Sequence, residues 1–165
     1  MKNIFLIPIF LLAFSCGSKL KTNDSKLISL ANFSHWPDSL ILETYEGGGM
    51  VNESNSVYIS KDSCFMIEQR ENVTSRYTGK LNTGELDSLF RKIIENNIEQ
   101  LGTKKNDGVI YDKGTTSLTI QLGTKQVNIA DGAREEISEL RQGDFFTIYR
   151  SINDIVKSKL PAKTR

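Results

Sequence analysis

Few residues in this chain have types and spacings that could do chemistry, and their positions restrict what that chemistry could be. His35 is the only histidine in 165 residues. An imidazole-based zinc site or a Ser-His-Asp triad would therefore have to pass through it, in the setting His35-Trp36-Pro37-Asp38. A rigid active site needs a packed supporting shell, and this polar neighbourhood without a period reads instead as a local lid in which Trp36 covers an edge of the core. Gly47, Gly48 and Gly49 form a candidate site of close backbone approach. No Lys-Ser/Thr follows them and no helix opens there, so they are not a phosphate loop; such a run permits a bulge or a turn. Asp107-Gly108 lacks the Asx spacing and the later glutamate of a calcium loop, and Glu135-Glu136 suits the first turn of a helix. No catalytic residue, metal ligand or cofactor motif is assigned. The remaining candidate is GTKKNDGVIYDKG, residues 102–114, where Lys104 and Lys105 precede Val109, Ile110 and Tyr111. Apolar and aromatic groups displayed on a loop suit contact with a protein partner, although Ile110 and Tyr111 could equally tuck under the domain.

The two cysteines have different prospects. Ile4 to Phe14 is an apolar run interrupted by Pro8 and preceded by Lys2. At about 1.5 Å per residue it covers about 16 Å, roughly half of a hydrocarbon core, which is the length of a signal-peptide h-region rather than a spanning helix. It stops in LLAFSCGS, where Cys16 is followed by Gly17 and Ser18. This resembles a bacterial lipoprotein signal. In that family the cysteine thiol receives a diacylglyceryl group, cleavage exposes its amine, and the amine is usually acylated as well. The resemblance implies a signal peptide over 1–15, lipidation at Cys16, attachment to a membrane of the bacterial cell envelope, and acyl chains as the membrane contact, since two or three chains hold where one binds only marginally. The competing reading is a plain secretory signal with an incidental cysteine. With Cys16 consumed, Cys64 has no partner for an intramolecular disulfide. In Cys64-Phe65-Met66-Ile67 it reads as a small buried hydrophobe.

Charge is balanced, with 21 Lys+Arg against 20 Asp+Glu. The only mild basic excess is Lys157, Lys159, Lys163 and Arg165, so nucleic acid is not an expected partner. The stretch 16–39 reads as a lipid-anchored tether, 40–160 as one domain of common size and 161–165 as a tail.

The elements that must position any site follow from periodicity. Leu40, Leu42 and Thr44 alternate with Ile41, Glu43 and Tyr45, predicting a strand; Val57-Tyr58-Ile59 predicts a second and 64–69 a third, and Val73, Ser75, Tyr77, Gly79 and Leu81 form the inward face of a fourth. On this reading Tyr58 and Met66 share the side opposite Ile59 and Phe65. Asn82 and Glu85 predict a capped helix start, with Leu86, Leu89, Phe90, Ile93 and Ile94 as its stripe. Leu118, Ile120 and Leu122, then Gly123-Thr124 and 125–129, predict a second hairpin. A short helix is expected at 133–141, broken by Gly143, before a final helix capped by Asp144 with Phe145, Ile148, Tyr149, Ile152, Ile155 and Val156 on one face. The expected fold class is α+β, an antiparallel sheet built from a meander and a second hairpin with helices packed on one face.

This element order, with Glu46-Gly47-Gly48-Gly49-Met50 at the end of the first strand and a helix after Leu81, loosely resembles the emfourin family of small inhibitors of thermolysin-like metalloproteases, and equally many small lipoprotein domains of the same architecture. The resemblance implies inhibition of a metalloprotease and transfers no inhibitory residue. The expected function is non-catalytic protein or ligand binding in the envelope. An enzyme whose site converges only in the fold would need a pocket lined by scattered Asp, Glu, Tyr or Ser. A structural subunit of an envelope complex would need an apolar patch on the uncovered sheet face, to which Met66 and Tyr58 could belong.

Overall fold

The computed structural model describes residues 28–49, 52–105, 108 and 113–160. The signal segment, Cys16 and the tail 161–165 lie outside them. The chain is α+β. Strands β1 (Leu40–Gly47), β2 (Glu53–Ile59), β3 (Cys64–Arg70) and β4 (Val73–Gly79) form a meander. Helix α1 (Thr83–Glu95) follows, then one 3-10 turn at Ile98–Gln100 and the short strand β5 (Thr103–Lys105). The hairpin β6 (Thr115–Leu122) and β7 (Lys125–Asp131), the short strand β8 (Glu135–Ile137) and helix α2 (Glu139–Lys157) complete the chain. Six strands make one antiparallel sheet in the order β4-β3-β2-β1-β6-β7, and β5 pairs with β8 in a second, two-stranded sheet.

Alternation decides which face is covered, because successive side chains of a strand point to opposite sides. Met66, Val57, Thr44, Leu118 and Ile129 stand opposite one another in one row across the sheet, and Cys64, Ile59, Leu42, Ile120 and Val127 in the next. All ten are buried. Helix α1 lays Leu86, Leu89, Phe90 and Ile93 on this core, and α2 adds Phe145, Ile148, Ile152 and Val156. Each such side chain, fully removed from water, contributes about 1.5–3 kcal/mol. The cap predicted for α1 is present in full: Glu85 N donates to Asn82 Oδ1 at 3.0 Å and Asn82 N donates to Glu85 Oε2 at 2.9 Å.

Several expectations fail for physical reasons. The stretch 16–39 is not a tether throughout, since Ile28, Leu30 and Trp36 are buried in the core. Their lack of period conceals them from a pattern search, but an irregular segment can bury isolated side chains when its amides find acceptors. Here Leu30 N and Ala31 N donate to Glu99 Oε1, and Trp36 N donates to Asp87 Oδ1 at 2.9 Å. No helix forms at 133–141: Glu135–Ile137 is β8, paired with β5, so Glu135-Glu136 is not in a first turn. Gly143 does not break the last helix, which runs through it, and Asp144 is an interior residue paired with Arg141 at 3.1 Å. A glycine costs a helix about 1 kcal/mol, less than the buried stripe of α2 returns. Met66 is a core residue rather than part of an outer patch, because the two faces of β3 are opposite to the expected assignment relative to Tyr58. The outer face carries Phe65, stacked on Tyr58 at 4.6 Å, with Arg76 4.3 Å above the Phe65 ring. Val73 is 65% exposed, because the inward parity of β4 reaches past the edge of the helical cover.

Candidate functional site

On the covered face of the sheet the apolar rows give way, toward one end, to polar ones of the same parity. Glu46, Asn55 and Glu68 stand directly opposite one another on β1, β2 and β3, beside Thr116 of β6. One row further out Glu53 faces Arg70. Neighbouring strands lie about 4.8 Å apart, so the Glu46 and Glu68 backbones are about 10 Å from each other. These residues, with Lys157 at the end of α2, Gly47 and Gly48 at the end of β1, and Gly114 and Thr115 at the start of β6, line a cleft of about 460 Å³.

Two further side chains of α2 hydrogen-bond to β1 beside this floor. Tyr149 Oη donates to Glu46 Oε2 at 3.0 Å. Asn153 Nδ2 donates to Thr44 Oγ1 at 3.2 Å and to the Tyr149 carbonyl at 2.9 Å, a buried polar link between helix and sheet. Burial first, and the Glu46 carboxylate second, push the Tyr149 phenol well above its ordinary range, so its proton stays on the donor. Asn55 Oδ1 is buried and has no hydrogen-bond donor.

Glycine at position 47 is required by space: a Cβ would sit 2.6 Å from Tyr45 Oη and 2.7 Å from Ser54 Cβ. Gly48 and Gly49 have φ of 85° and 80°, in the region that favours glycine. The triple glycine is therefore a strand end followed by a left-handed turn, and its first two residues line the cleft while Gly49 does not. Gly114 stands against the same turn, its Cβ position 3.4 Å from the Gly47 carbonyl oxygen.

The recognition loop expected at 102–114 is divided. Lys104 and Lys105 belong to β5 rather than to a loop, and Lys104 Nζ pairs with Glu136 Oε1 at 2.9 Å. That pairing holds the Lys104 amine above its ordinary range and the Glu136 carboxyl below its own. Neither lysine lines the cleft. Val109, Ile110 and Tyr111 lie outside the described residues, as does Cys16. Cys64 is buried against Gly79, and burial pushes its thiol up. His35 is not in the cleft: its Nδ1 donates to Asp87 Oδ2 at 3.0 Å on α1, while Trp36 packs edge-on against Phe90 at 6.4 Å. The Trp36 amide first, and His35 second, hold the Asp87 carboxyl below its usual range.

None of Glu46, Asn55, Glu68, Arg70, Tyr149 and Lys157 is a site candidate from sequence, where Tyr149 reads as a stripe residue of the last helix and Lys157 as part of a mild basic excess. The available signal was parity: Glu46, Glu53, Asn55, Glu68 and Arg70 occupy inward positions of strands whose other inward residues are apolar. Among the described residues no group of three metal-ligating side chains occurs, and no helix is long and apolar enough to cross a membrane. Compared with known proteins, the chain matches no family model, no curated protein and no solved structure.

Proposed function

We propose that this chain is an exported domain held on a membrane of the bacterial cell envelope by acyl chains on Cys16, and that it acts there by binding rather than by catalysis. The cleft carries the binding half of this reading. It presents charged groups of both signs, hydroxyls and close backbone on a floor of rigid strands, and a site on strands is held more firmly than one on loops. The sole histidine is engaged by Asp87 on α1, so the hydroxyls of Ser54, Thr115 and Thr116 in the cleft have no imidazole base beside them. The anchoring half stands on the apolar run that stops at Cys16. Inhibition of a metalloprotease is the finer version and stands on the emfourin-like element order.

The test is intact mass and detergent partition of the full-length protein expressed in a bacterium, beside Cys16→Ala. Diacylglyceryl mass on the wild type and its loss in the variant are the expected results. Soluble, unmodified protein in both cases overturns the anchor and brings the secreted reading forward.

The uncovered sheet face favours a second reading, a subunit of an envelope complex. Ile41, Tyr58, Phe65 and Ile67 are half-buried there and Tyr45 is exposed, an aromatic and aliphatic surface of the kind that partners cover. Chemical crosslinking in membranes followed by Tyr45→Lys separates the two readings: loss of a crosslinked partner supports the subunit, and an unchanged pattern opposes it.

A further inference from the structure

Within the binding reading above, on which it rests, the geometry points to a small zwitterion of about dipeptide size, bearing a free amine and a free carboxylate, as the ligand of the cleft; we infer this from Glu46, Glu53, Arg70 and Lys157, charges of both signs that face one cavity. Among the described residues no ion pair includes Glu46, Glu53, Arg70 or Lys157. Glu53 and Arg70 are direct cross-strand partners and still do not meet. All four are exposed to solvent, where a ligand that brings the opposite charge can reach them.

The inner row carries Glu46, and the outer row places Glu53 beside Arg70. At the inner row Glu46 has one carboxylate oxygen occupied by Tyr149 Oη, and beside it Asn55 Oδ1 is a buried acceptor with no donor. An ammonium group has three donors and no acceptor, so it suits the remaining carboxylate oxygen of Glu46. Arg70 lies one inward step beyond that row and two strands from Glu46, about 7 Å along its strand and about 12 Å from Glu46 between backbones, where its planar fork suits a carboxylate. Lys157 adds a second positive charge from the helix side. Two residues of extended peptide span about 7 Å, and a charge-assisted hydrogen bond of about 2.8 Å at each end extends the reach to about 12–13 Å, while a cleft of about 460 Å³ lies within the range of roughly 300–1,000 Å³ typical of small-molecule sites.

The experiment titrates the full-length chain in detergent with alanyl-alanine, N-acetyl-alanyl-alanine and alanyl-alanine amide, read by calorimetry and by the amide NMR signals of Gly47, Gly48, Gly114 and Thr116. Saturable binding of alanyl-alanine is expected, weakened at least about tenfold by blocking either end. Glu46→Gln should relieve the discrimination against the acetylated peptide, and Arg70→Gln that against the amide. Should Glu46→Gln disturb α2 through Tyr149, the amine end is tested by the acetylated peptide on the wild type, and Lys157→Gln tests the carboxylate end from the helix side, with weaker binding of the free-ended peptide expected. Equal binding of all three peptides, dependence on the amine alone, or no saturable shift in the millimolar range overturns the assignment. Failure here beside a lipidated Cys16 removes the ligand class and leaves the anchor standing. Binding beside an unmodified Cys16 does the reverse.

Discussion

At the scale of single residues, the side chain that joins helix to cleft is Tyr149. Its ring is buried and its hydroxyl donates to Glu46, so Tyr149→Phe leaves that carboxylate oxygen without its donor and should cost about 1–2 kcal/mol near neutral pH. The pH dependence has a definite sign. Folding raises the phenol's affinity for its proton above the ordinary value of 10.0, so the native state retains that proton where the unfolded state has lost it. The stability this contributes is complete below pH 10 and declines as pH rises further. Urea unfolding at neutral pH and again above pH 10 should show the wild type losing part of its advantage over Tyr149→Phe at the alkaline end; an advantage that stays constant would mean that the phenol is not perturbed. The cysteine left in the domain follows the same rule, since burial pushes the Cys64 thiol up and disfavours the thiolate.

At the scale of elements, α1 was legible in the sequence because its signals are local. Asn82 and Glu85 are three residues apart, the stripe repeats every three to four, and neither needs a distant partner. Asn82→Ala should destabilise the domain by about 1 kcal/mol, seen as a lower denaturation midpoint with an unchanged dependence on urea. An unaffected midpoint would show that packing alone holds the first turn. The segment 133–141 was misread for the converse reason. Ala133, Arg134 and the two glutamates are good helix formers, but Thr103 and Ile137 pair across 34 positions of sequence, and no local pattern reports a partner so far away. Glycine 143 misled in the same way: its local cost is real, while the stripe from Phe145 to Val156, buried on the sheet, outweighs it.

At the scale of the whole molecule, the domain begins earlier than composition implied. Leu30 is 1% exposed and Glu99 receives its amide, so Leu30→Ala should cost about 2–5 kcal/mol, as a core leucine does. A tether residue would cost nothing measurable, and thermal unfolding of the variant decides between the two. Close docking of 28–36 also shortens the chain available between Cys16 and the domain, so an anchored protein would stand nearer its membrane than a tether running to residue 39 permits. The sequence by itself determined the α+β class, the meander and the hairpin, the cap of α1 and the inward residues of β1, because alternation and capping are short-range and one register slip would turn every apolar side chain to water. Only the tertiary structure decided that β1 pairs with β6, that Ile28, Leu30 and Trp36 join the core, and that Glu46, Asn55 and Arg70 come from three strands to one cleft. Those facts depend on contacts between residues far apart in the chain, where burial and hydrogen-bond partners are set by the assembled fold and leave no period to read.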